Sequence, residues 1–70
     1  MNYEYADAYL EITFPDSGNI RRIKKSIIKE ISQLSDGSGK CHVMIWVQGD
    51  TYRFNGTLED LEKNSKTVFI

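Results

Sequence analysis

The sequence is poor in the residue types that most often announce what a small protein does. It holds one cysteine, one histidine, one proline and one tryptophan in 70 residues. A lone Cys41 excludes an intramolecular disulfide, and small secreted domains usually depend on such staples. The longest apolar run, Val43-Met44-Ile45-Trp46-Val47, is five residues, against about 20 for a membrane-spanning helix. The start, Met1-Asn2-Tyr3-Glu4-Tyr5, is acidic and aromatic and lacks the basic-then-apolar order of a secretory signal. These absences point to a reducing, cytoplasmic setting with no membrane.

What is present can fold. Hydrophobic residues make up 40% of the chain and the net charge is −1, a balance that excludes a disordered polyelectrolyte. Seventy residues form one domain, 1–70, with a core too small to enclose a deep pocket. That disfavours a self-sufficient enzyme.

Hydropathy patterning gives the elements. Tyr3 to Phe14 alternates, with Ala6, Ala8, Leu10, Ile12 and Phe14 on one face, and reads as a strand. Pro15-Asp16-Ser17-Gly18 breaks it. Ile20, Ile23, Ile27, Ile28, Ile31 and Leu34 fall on one helical stripe. With Asp16, Ser17 and Asn19 as candidate N-caps and Gly37 past the end, the spacing predicts a helix over Ser17 to Ser35. Ser35-Asp36-Gly37-Ser38-Gly39 is a flexible connection. Cys41 to Gln48 and Thr51 to Gly56 read as strands joined at Gly49-Asp50. In that register Val47 faces Tyr52 and Trp46 faces Arg53. Thr57-Leu58-Glu59-Asp60 has the form of a capping box opening a short helix that buries Leu58 and Leu61. Lys66 to Ile70 is β-prone and forms a last strand.

The order β-α-β-β-α-β predicts an α+β, ferredoxin-like fold: a four-stranded antiparallel sheet with both helices on one face. The alternative is a β-α-β-β unit with a packed C-terminal tail. Either topology hosts many unrelated functions.

No motif for catalysis stands out. Gly37-Ser38-Gly39-Lys40 resembles part of a phosphate loop. It has Leu34 where the first glycine belongs, Cys41 where Ser or Thr belongs, and its flanking elements are reversed. Cys41 and His42 are strand neighbours that point to opposite faces and cannot share a metal or a proton. Asp7 and Glu11 lie about 13 Å apart along one strand, too far for paired-carboxylate chemistry. No serine sits in a nucleophile elbow. Neither a metal site nor a cofactor is expected, and the reading is non-enzymatic.

Binding surfaces are better supported. Five bases against one acid give the expected helix +4, and the remainder carries −5. Arg21, Arg22, Lys25 and Lys29 would cluster opposite the isoleucines, a basic face suited to nucleic acid or to solvation. The sheet face away from the helices would present Tyr9, Glu11, His42, Met44, Trp46 and Arg53. Tyr, Trp, Met and Arg are enriched at protein interfaces. Glu4, Asp7, Glu11 and Asp16, with no base among them, form an acidic N-terminal edge.

The expectation is therefore a small protein–protein interaction module or inhibitor that uses the aromatic face or the acidic edge. In its shortness and lack of motifs the chain resembles phage or mobile-element inhibitors, anti-CRISPR proteins among them. The alternatives are a nucleic-acid binder that uses the basic helix face, and a homodimeric structural or small-ligand domain whose sheet faces pack together.

Overall fold

The structure is a computed structural model and describes residues 8 to 69. It is built mainly of strands: β1 (Ala8–Thr13), β2 (Ile20–Lys24), β3 (Ile28–Ser35), β4 (Cys41–Val47), β5 (Asp50–Asn55) and β6 (Ser65–Phe69), with one short helix, α1 (Leu58–Lys63). They form two three-stranded antiparallel sheets, ordered β2-β1-β6 and β3-β4-β5. This replaces both the ferredoxin-like four-stranded sheet and the β-α-β-β unit with a tail.

The difference lies in one segment. Residues 17–35, expected as a helix, form a turn, β2, a single 3-10 turn at Lys25–Ile27, and β3. Lys24 and Ile28, which flank that turn, are both extended, so the chain leaves one sheet and enters the other without a helical run. Five of the six residues in the apolar stripe are isoleucine. Their β-branched side chains are stiff at χ1 and pack well on a pleated surface. Strand pairing also buries a different subset from a helix. Ile23 goes into the core, Ile27 and Ile28 pack against it, and Ile20 is 63% exposed. Ser17 still acts through its hydroxyl, which accepts from Asn19 N–H at 3.2 Å. It thereby shapes the β1–β2 turn and caps no helix.

Other local expectations hold. Phe14 O accepts from Gly18 N–H at 2.7 Å, closing the expected turn, where Gly18 takes φ +75°. Thr57 caps α1. Its side chain accepts from the Asp60 N–H while the Asp60 carboxylate accepts from the Thr57 N–H. Leu61 is buried as expected, but Leu58 is 43% exposed. The last strand pairs with β1 of its own chain.

The core lies between the sheets. Ile12 and Ile23 from the first meet Val43, Ile45, Val47 and Phe54 from the second, and Leu61 joins from α1. Phe14 packs on Phe54 with ring centroids 5.9 Å apart. The β4–β5 hairpin turns at Gln48-Gly49, with Gly49 at φ +84°, so its register is shifted by two residues from the expected one. A shift of two leaves every side chain on its expected face.

Candidate functional site: the outer face of the second sheet

β4 is the central strand of the second sheet, and its alternation decides what each face shows. Val43, Ile45 and Val47 are buried in the core, so His42, Met44 and Trp46 point outward, each half-buried. Cross-strand pairing completes the outer face as three rows. Glu30, Trp46 and Thr51 form one, Ser32, Met44 and Arg53 the next, and Leu34, His42 and Asn55 the last. Directly opposed side chains on one sheet face have Cβ atoms about 5 Å apart, so neighbours in each row touch.

The polar rim is partly fixed. Ser32 Oγ donates to Glu30 Oε2 at 2.7 Å. Arg53 Nε donates to Asn55 Oδ1 at 3.0 Å, and Asn55 Nδ2 donates to Asp16 Oδ2. This chain ties the β1–β2 turn to the edge of β5, and the terminal nitrogens of Arg53 have no hydrogen-bond partner among the described residues. Beyond His42 and Asn55 the face runs into a polar cleft of about 440 Å³, lined also by Asp16, Asp36 and Lys40. Asp36 accepts from the Ser38 hydroxyl at 2.6 Å and from its N–H at 2.8 Å, which holds its carboxyl below the usual range. The loop that resembled a phosphate motif is an Asp-stabilised turn, with Gly37 and Gly39 at φ +86° and +87°.

Of the six residues expected on one aromatic face, the structure brings together His42, Met44, Trp46 and Arg53. Tyr9 and Glu11 belong to the first sheet, on β1. Trp46 is on the central strand of the second sheet and Arg53 on an edge strand. Arg53 stands across from Met44, and the guanidinium over an aromatic ring is that of Arg21, 5.0 Å from the Tyr52 ring centroid. Leu34, 42% exposed, lies on this face and not on a helical core stripe. The isoleucine-rich composition of residues 20–31 is the signal that could have placed it there.

The basic helix face does not form. Arg21 and Arg22 are successive residues of β2 on opposite faces, Lys25 is in the 3-10 turn and Lys29 is on β3. Of the expected acidic N-terminal edge, two members lie among the described residues. Glu11 is paired with Arg22 and Lys66, Asp16 is bonded to Asn55, and Glu4 and Asp7 lie outside the described residues.

Among the described residues no three His, Cys, Asp or Glu side chains converge as metal ligands. No helix among them is long and apolar enough to cross a membrane. The face offers contact chemistry, with an apolar centre and a polar rim. No protein-family model, curated protein or solved structure matches the chain.

Proposed function

We propose that the protein is a non-enzymatic protein-interaction module that docks through the outer face of its second sheet. One observation carries the reading: Met44 and Trp46 stand side by side on the central strand of a face that no described helix or strand covers. A sheet face turned to water normally becomes polar. A Trp and a Met ringed by Arg53, His42, Glu30 and Leu34 follow the composition of an interface centre within its rim. The inhibitor reading, of the phage or mobile-element kind that includes anti-CRISPR proteins, rests on the same mode. A chain this small inhibits by occupying a partner's working surface. A half-buried free thiol at Cys41 supports a reducing, cytoplasmic setting for it.

The test compares tagged full-length protein in a nuclease-treated host-type lysate with two variants of confirmed fold. A protein retained by wild type and by Leu58→Ser, but lost with Met44→Ser/Trp46→Ser, supports the face. A partner retained equally by all three contradicts it.

A further inference from the structure

The first sheet carries a second surface of different chemistry. β1 is its central strand, so Tyr9 and Glu11 sit in the middle of the outer face. On β2, Lys24 stands opposite Tyr9 and Arg22 opposite Glu11. On β6, Lys66 stands opposite Glu11 from the other side. Lys63, at the end of α1, lines the same shallow depression as Glu11 and Lys66.

Glu11 would be expected to repel phosphate from Tyr9, but its charge is already taken. Glu11 Oε1 accepts from Arg22 Nε at 2.9 Å, and Lys66 Nζ lies 3.5 Å from Oε2. The Glu11 side chain is 14% exposed, against 52% for Arg22 and 71% for Lys66. The negative charge therefore lies beneath the positive ones, and among the described residues four cations stand against one acid on this patch.

We infer that this face binds single-stranded nucleic acid, with Tyr9 as the stacking platform and Lys24, Arg22, Lys66 and Lys63 on the phosphates. A positive groove or face with an aromatic ring at its centre is the shared requirement of sequence-tolerant single-strand binding. Unstacked bases can lie on the Tyr9 ring, whereas bases paired and stacked within a duplex present no free face to it. The inference does not rest on protein docking at the second sheet, since the two faces point away from the core on opposite sides.

The test is fluorescence anisotropy with a labelled oligothymidylate of about 16 nucleotides. Wild type binds at low salt, and log K falls with log salt at a slope of about −2 to −3 for three or four phosphate contacts. Tyr9→Ala weakens binding by about five-fold or more, and Tyr9→Phe restores it. Lys24→Glu/Lys66→Glu, the first half-buried and the second exposed, lowers the slope by about 1.4 in a variant of confirmed fold. Trp46→Ala, on the other sheet, binds as wild type does. No binding at low salt overturns the proposal. So does equal binding by the Tyr9 and lysine variants, equal affinity for a duplex of the same length, or lysine-dependent binding of polyglutamate without binding of the oligonucleotide.

Discussion

Gln33 accepts at Oε1 a 2.9 Å hydrogen bond from the backbone N–H of Leu58. Gln33 pairs with Val43 on the core side of the second sheet, so this bond anchors α1 to the inner side. It also satisfies one of the amide donors that a helix N-terminus leaves free. No described helix or strand lies over the outer side, with Met44 and Trp46. Gln33→Leu is expected to cost about 1 kcal/mol, and Thr57→Ala about as much through loss of the cap. Urea unfolding of each variant measures this, with the slope unchanged.

The isoleucine stripe separates a pair of strands from a helix. In a helix, Ile20 and Ile23 would both face the core and cost similar amounts when truncated. In the two-sheet structure Ile23 is 3% exposed and Ile20 63%. Ile23→Ala is expected to cost about 2–5 kcal/mol, and Ile20→Ala no more than about 0.5 kcal/mol. Denaturant midpoints of the two variants measure the difference.

These residues also show why part of the fold could be read and part could not. Period-two alternation in Leu10–Ile12 and in Val43–Val47 has one interpretation, and the strands are where it places them. Thr57 and Asp60 are a local device and survived intact. Residues 20–34 carry apolar residues at spacings of three and four, which suit a helix. They suit equally a strand, a one-turn corner and another strand. The choice between them is made by long-range pairing with β1 and β4, which no local pattern records. Because the hairpin slip was by two residues, Met44 and Trp46 kept their face. Tyr9 and Glu11 were lost from that face because it belongs to a second sheet that the sequence did not disclose.

Gly56 is at φ +142°, and a Cβ there would lie 2.9 Å from Asp60 Oδ2 and 3.2 Å from Phe54 Cε1. Asp60 Oδ2 is the atom that accepts from Thr57 N–H, so Gly56→Ala strains the backbone and disturbs the cap together. Gly49, at φ +84°, has open space around it. Thermal denaturation is expected to show a larger loss for Gly56→Ala, about 1–3 kcal/mol, than for Gly49→Ala, about 1 kcal/mol.

Three carboxylates favour the folded protein less in acid. Glu11 is held below the ordinary 4.5 by the hydrogen bond from Arg22 and the charge of Lys66. Asp36 is held below 3.8 by the Ser38 hydroxyl and N–H, and Asp60 below 3.8 by the Thr57 N–H and side chain. Each binds its proton less readily folded than unfolded. The stability they contribute is full above about pH 4.5 and is lost as pH falls through the lowered folded values. Urea midpoints are expected to be level from pH 7 to pH 5 and to fall below pH 4.5. Glu11→Gln should make that fall shallower.

The candidate face depends most on residues 20–35 forming two strands, one in each sheet, since β3 adds Glu30, Ser32 and Leu34 to the side of His42, Met44, Trp46 and Arg53 and makes β4 a central strand. Backbone chemical shifts and nuclear Overhauser contacts of the labelled full-length protein test this directly. Extended-strand shifts through 20–24 and 28–35, with cross-strand contacts of Met44 to both Ser32 and Arg53, are the predicted result. Helical shifts and sequential amide contacts running unbroken through 20–34 would contradict it.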